Sequence, residues 1–321
     1  VLLGQIFRLA SVKSLFDIQV NGFGGVDFQN PHLSREEMER ATAALALHGT
    51  HRFFPTLITD DIESLQRKFE NLERLRSASQ SISDSVCGYH LEGPWISREP
   101  GYIGAHDLRW VRPPSIADFD ILQKAANGNI RLLTLAPEWP ESSAVIRELV
   151  ARGVFVSLGH TNASESQIDT AIDAGARFCT HLGNGVPQTL HRHENVIHRL
   201  LARDELVAFF IPDGIHLPPT TLKNLFRAKP EGKALFTTDC MSAAGAPPGR
   251  YRLANTIVKV GADRVVRKPG QTCFAGSSLA PDEGVENIQL WLNLPAHRAH
   301  ALFSTNVGEA FGIDLPDLSA E

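Results

Sequence analysis

Eight short apolar runs alternate with amphipathic stretches along this 321-residue chain, and that alternation limits the possible folds more than any other feature. The runs cover 16–22, 51–58, 86–91, 130–136, 154–158, 178–182, 206–211 and 234–238. Between them, 34–48, 62–76, 115–126, 142–152, 164–174 and 219–228 carry helical periodicity. Several of these stretches open with Ser or Asp followed by acidic residues, the usual helix-start chemistry. Ser34-Arg35-Glu36-Glu37 spells a capping box. Strands separated by helices pair in parallel through right-handed crossovers. Eight such units predict an α/β protein with a closed (β/α)8 barrel, a TIM barrel. An open doubly wound sheet is the alternative, and it would place its site at one switch point. Here polar residues follow strands one, three, five, six, seven and eight, which favours closure.

One segment breaks the pattern. Residues 244–278 are rich in Gly and Pro around two short β-prone runs, and they predict a loop followed by a β-hairpin near 249–275. The barrel itself is expected over 16–305.

The polar residues at the strand ends carry the chemistry. Glu92, His160, His181 and Asp239 each sit at or just beyond the end of a predicted strand. A carboxylate and two imidazoles make a three-ligand catalytic metal site with a position left for water. A further carboxylate beside that water is a natural general base. The set points to a metal-dependent hydrolase. Many metal hydrolases on this barrel begin with His-x-His at the end of strand one, where this chain has Gln19 and Asn21. Amides are poor ligands for zinc or iron compared with imidazole. Strand four ends Leu135-Ala136-Pro137-Glu138, without a lysine to bridge two ions. One metal is therefore expected, zinc first, with Fe(II), Co(II) or Mn(II) as alternatives.

Composition excludes other classes. The net charge is -5, against a nucleic-acid binder, which would usually show a basic excess. No apolar run reaches the roughly 20 residues of a membrane helix. Residues 1–16 lack a signal-peptide layout, and the lack of an initiator Met suggests that the sequence begins inside a longer chain. Cys87, Cys179, Cys240 and Cys273 show no zinc-clip or redox spacing, so reduced thiols and a cytoplasmic setting are expected.

Eight pieces occur in order: Gln19-Val20-Asn21-Gly22, His90-Leu91-Glu92-Gly93-Pro94, Gly104-Ala105-His106, Leu135-Ala136-Pro137-Glu138, Gly159-His160-Thr161, Thr180-His181-Leu182, Asp213-Gly214-Ile215-His216 and Thr238-Asp239. On these the chain resembles the N-acetylglucosamine-6-phosphate deacetylases of the amidohydrolase superfamily, from about residue 16 to 279. The resemblance implies that Glu92, His160 and His181 hold the metal. It implies that Asp239 takes a proton from the attacking water and returns it to the leaving amine, while His106 hydrogen-bonds the amide carbonyl. It places Asn184, the backbone at Gly185, Arg192 and His216 at the sugar phosphate, and Leu279 over the substrate methyl group. Gln19 and Asn21 would be a vestigial second-metal position. It also implies a homodimer and a small β-sandwich built from both ends of the chain. Here that domain is expected to be incomplete, with 1–15 a remnant and 306–321 a segment leading to it.

The chain departs from the family pattern in two places. Thr180-His181-Leu182-Gly183-Asn184-Gly185-Val186-Pro187-Gln188 keeps the Asn but surrounds it with Gly. Ser277-Ser278-Leu279-Ala280-Pro281 replaces the usual Ser-x-Leu-Thr-Met. The altered loop leaves room for an unphosphorylated or different N-acyl amino sugar as the alternative substrate. Trp95 and Tyr102 could stack on a sugar or fill the barrel mouth, and Glu138 could orient neighbouring loops. A sugar-binding barrel without turnover is the non-enzyme alternative, and it would require loss of a ligand or of Asp239.

Overall fold

A computed structural model describes residues 12–267 and 274–318. Residues 1–11, 268–273 (with Cys273) and 319–321 lie outside the described residues. Eight strands form one parallel sheet in chain order: Leu15–Val20, Thr50–Ile58, Tyr89–Glu92, Ile130–Leu135, Phe155–Leu158, Phe178–Cys179, Val207–Phe210 and Ala234–Phe236. They are called strands one to eight below. Every predicted run yields its strand, but all except the second are shorter than expected. Strand three begins at Tyr89, because Val86 makes only an isolated bridge to Phe53. Strand six stops at Cys179 and strand eight at Phe236, because the chain bends just beyond, at residues with positive φ.

The helices Arg35–Leu47, Ile62–Ala78, Ile116–Ala125, Ser142–Ala151, Glu165–Asp173 and Pro219–Ala228 follow the predicted amphipathic stretches. The Ser34–Glu37 capping box is present in both directions. Strands Gly249–Leu253 and Thr256–Val260 form the expected hairpin, and Val266–Arg267 adds a third antiparallel strand. Asp27 pins this hairpin to the loop after strand one, its carboxylate accepting from the amides of Gln29 and Ala254.

No ladder joins strand eight back to strand one among the described residues. Three other contacts close the seam. At its base, the Phe16 amide donates to the Phe303 carbonyl and the Phe236 amide to the Leu302 carbonyl. In the middle, Asp17 of strand one accepts from Thr237 and Thr238, just beyond strand eight. At the top, Val20 bridges Cys240 and the Asn21 amide donates to the Cys240 carbonyl at 2.7 Å.

The barrel interior is layered. Helix Thr305–Phe311 delivers Phe311 into the base, with ring contacts to Phe16, Phe54, Phe155, Phe178 and Phe209 at 4.8–6.1 Å. Above this plug, Thr56, His90, Thr134, Thr180 and Ser157 form a chain of side-chain hydrogen bonds of 2.6–3.2 Å. Hydroxyls can donate or accept, so they satisfy a neutral imidazole on both nitrogens. Burial pushes His90 down to about 4, which keeps it neutral. The layer above this one holds the site residues. Val12–Lys13 pairs antiparallel with Asp317–Leu318, so both ends of the described chain meet in one two-stranded ribbon.

Two outcomes follow for stability. Phe311→Ala empties the centre of an aromatic cluster and is expected to cost about 3–5 kcal/mol in urea unfolding. Burial pushes the Asp27 carboxyl up to about 7, against lowering hydrogen bonds from the Gln29 and Ala254 amides. The folded protein then holds this proton more tightly than the unfolded chain. The stability it contributes is complete below the ordinary value of 3.8 and is lost as pH rises through about 7. Asp27→Asn should therefore gain stability relative to wild type between about pH 4 and pH 7, read as a rising difference in urea midpoint.

Candidate active site

A cavity of about 440 Å³ opens at the carboxyl ends of the strands. Glu92, His106, His160, His181, Asp239 and Asn21 line its floor, and Asn184, Gly185 and His216 line its walls. No Lys or Arg is among the described residues that line it. Glu92 ends strand three and is 3% exposed. Its Oε1 lies 3.0 Å from His181 Nε2 and 3.3 Å from His160 Nε2. Burial alone would raise the Glu92 carboxyl, but hydrogen bonds from the two imidazoles outweigh it and hold the group well below the usual range.

His160, His181 and Asp239 have φ of +50°, +30° and +50°. Non-glycine residues rarely adopt this conformation, and such strain clusters at functional sites. Each sits just past a strand end, where the bend turns the side chain over the barrel mouth. His160 Nδ1 lies 2.9 Å from the Tyr102 carbonyl, an acceptor that orients the ring with Nε2 towards Glu92, where that nitrogen would ligate an ion. Gly104 and Gly185 flank that ring; a Cβ on either would approach it to 2.8–2.9 Å. His181 Nδ1 is buried without a partner among the described residues.

Two imidazoles and a carboxylate converging on one point are the donor chemistry of a divalent-metal site. The lack of Lys and Arg among the described cavity-lining residues and the unpartnered His181 nitrogen fit a bound cation. Ligand-capable atoms of Glu92, His106 and His160 also lie within 4.8 Å of one another. His106 is thus a fourth candidate donor. Its Nδ1 lies 2.8 Å from Thr59 Oγ1, and it approaches from a loop, whereas His160 and His181 each follow a strand.

Asp239 sits beside this group. Burial, then the charge of Glu92, pushes its carboxyl up to about 8, against the lowering effect of His181 and of the Asn21 hydrogen bond. Asn21 Nδ2 donates to Asp239 Oδ1 at 2.8 Å. The Gln19 side chain is buried, with neither polar atom partnered among the described residues. His216 is oriented by Asp213, 2.6 Å away. Burial would raise Asp213, but His216 overrides it and holds the carboxyl low.

Four sequence expectations meet a different environment. Arg192 is exposed and does not line the cavity. Leu279 is buried at 4% but faces the start of helix Pro281–Leu292, near Gly284, instead of the cavity. Trp95 is fully buried near Phe119, so it fills the core and offers no sugar platform. Tyr102 acts through its carbonyl on His160. Glu138 does tie neighbouring loops together, accepting from Thr161 and the Asn162 amide. Asp17 and Thr59 were missed. The only sequence signal for Asp17 is a carboxylate set in an apolar strand.

No protein-family model matches the chain. It is 32% identical over 304 residues to the N-acetylglucosamine-6-phosphate deacetylase of Bacillus subtilis, covering 94% of this chain and 75% of that one. It is 35% identical to the Homo sapiens protein of the same name, covering 83% of this chain and 65% of that one. Among solved structures, it is similar to a Mycobacterium smegmatis N-acetyl-D-glucosamine-6-phosphate deacetylase mutant in complex with N-acetyl-D-glucosamine-6-phosphate. That match has a TM-score of 0.86 and 30% identity, over 96% of this chain and 80% of that one. The Thermotoga maritima enzyme of the same name matches with a TM-score of 0.83 and 27% identity, over 97% and 81% of the two chains.

Metal titration separates the donors. Wild type is expected to bind about one divalent ion per chain, the number that a three-ligand site holds. Glu92→Ala, His160→Ala and His181→Ala should abolish binding, and His106→Ala should retain it. Elemental analysis after desalting reads the result.

Proposed function

This chain belongs to the N-acetylglucosamine-6-phosphate deacetylase family, and on that premise we propose that it hydrolyses the acetamide of N-acetyl-D-glucosamine 6-phosphate to glucosamine 6-phosphate and acetate. The convergence of Glu92, His160 and His181 beside Asp239 carries this reading.

Glu92, His160 and His181 would hold the ion. A divalent metal there supplies a water that ionises near neutral pH and a Lewis acid for the carbonyl. Asp239 takes the proton of the attacking water. Its Oδ1 is engaged by Asn21, which leaves Oδ2 to carry that proton. The same oxygen then protonates the leaving nitrogen, so that an amine departs and not an amide anion. A carboxyl with a raised affinity for protons suits this exchange. His106, with Nδ1 held by Thr59, offers Nε2 to the carbonyl oxygen as charge develops on it. Asn184, Gly185 and His216 are the proposed sugar contacts, supported by their place in the cavity wall. Gln19 and Asn21 are proposed as the position where relatives can hold a second ion. Zinc is the proposed metal, with Fe(II), Co(II) and Mn(II) next.

A second substrate reading has its own support. With no Lys or Arg among the described cavity-lining residues and Arg192 exposed, an unphosphorylated N-acyl amino sugar is the alternative. A cytoplasmic setting is proposed from the free thiols of Cys87, Cys179 and Cys240. No described helix is long and apolar enough to cross a membrane. A homodimer is proposed on the family resemblance.

Acetate release by the metal-reconstituted chain tests the proposal, with N-acetylglucosamine 6-phosphate and N-acetylglucosamine side by side. The phosphate ester should be preferred; equal or reversed preference selects the alternative. Asp239→Asn should lower kcat about 100- to 10,000-fold, the range for a general acid or base. His106→Ala should lower it about 100- to 1000-fold, as for loss of an oxyanion donor.

A further inference from the structure

We propose that Asp17 is a positioning residue, which closes the barrel seam and, through the Thr238 hydroxyl, holds the strained backbone of Asp239 in place. The proposal deepens the deacetylase reading and rests on it for the role of Asp239.

Asp17 is fully buried in strand one and faces the segment just past strand eight. Its Oδ1 accepts from Thr237 Oγ1 at 2.5 Å and from the Gln19 amide at 3.2 Å. Its Oδ2 accepts from Thr238 Oγ1 at 2.5 Å and from the Thr238 amide at 3.2 Å. Thr238 Oγ1 in turn accepts from the Cys240 amide at 3.1 Å. One hydroxyl thus spans Asp239, fixed to Asp17 on one side and to the following residue on the other. Ser277 braces the same bend, its Oγ donating to the Thr238 carbonyl and its amide to the Asp239 carbonyl. Strand one acts on both parts of Asp239: Asp17 reaches its backbone through Thr238, and Asn21 holds its side chain. A carboxylate is unusual in this position. An apolar residue would fill the space at lower desolvation cost, but it could not accept from two hydroxyls and two amides. Burial raises the Asp17 carboxyl even against all these donors, a measure of how costly the group is to hold there.

The test uses the full metal-reconstituted chain with Asp17→Asn, Thr238→Val and Thr238→Ser. Thr238→Val keeps the shape and removes the hydroxyl, while Thr238→Ser keeps the hydroxyl. Asp17→Asn and Thr238→Val should lower kcat for acetate release about 10- to 100-fold, the scale of a misplaced reacting group. KM should stay within about twofold and bound metal should stay unchanged, because neither residue touches ligand or ion. Thr238→Ser should restore kcat to within about threefold of wild type. Amide hydrogen exchange in peptides spanning 237–241 should speed up in the two disabling variants and not in Thr238→Ser. Wild-type kcat in folded Thr238→Val, or kcat lost only together with bound metal, would overturn the proposal. If Asp17→Asn does not fold, Thr238→Val carries the test with Asp17 intact. If wild type releases no acetate, the deacetylase reading fails, and exchange at 237–241 still decides the clamp: faster exchange in Thr238→Val upholds it and unchanged exchange refutes it.

Discussion

A parallel barrel is held by a ring of backbone hydrogen bonds, and here that ring is broken between its first and last strands. Seven strand pairs are laddered in chain order. At the eighth junction the described chain substitutes a splice from Leu302 and Phe303, a carboxylate–threonine clamp, and one bridge between Val20 and Cys240. A side chain can turn the partner strand in ways that a ladder cannot, because it does not impose the regular pleat. Strand eight can therefore end early and bend into the conformation that Asp239 requires. The irregular closure and the placement of Asp239 share one cause.

The site above the seam is electrostatically lopsided. Glu92 and Asp239 are both buried, Asp17 lies close beneath, and the described cavity wall offers imidazoles and amides but no Lys or Arg. Glu92 resolves its own burial by taking both histidines. Asp239 has only Asn21 as a side-chain hydrogen-bond partner among the described residues, and burial with the nearby Glu92 charge raises its carboxyl to about 8. The contrast separates two carboxyl groups at one barrel mouth, one held low by its imidazole partners and one raised towards the proton-carrying range, as expected when environment and not residue type sets the role. The polar layer around His90 supports this arrangement from below. Its hydroxyls satisfy the imbedded imbalance of a neutral imidazole without adding charge.

Much of this was legible in the chain. The alternation of apolar runs and helical stretches located eight strands and the hairpin, because burial of one face leaves a periodic trace in sequence. Glu92, His160, His181 and Asp239 were legible because polar residues at strand ends have few other reasons to be there. The positive φ of the last three was not, since His and Asp carry no obligatory conformational mark as glycine does. Nor was the fate of Arg192, Leu279 and Trp95: whether a side chain faces a cavity or a helix depends on loop paths that local sequence does not specify. Asp17 was hidden for the opposite reason. It looked like a blemish in an apolar run, and its partners Thr237 and Thr238 lie 220 and 221 residues away.

Phe311 adds an order of events to protein synthesis. All eight strands leave the ribosome before it does, yet its ring touches phenylalanines on five of them. Until then those phenylalanines lack the ring they pack around, and apolar surface left exposed in an incomplete chain favours association. The five strands whose phenylalanines surround that ring can therefore reach their final packing only once translation has passed residue 311.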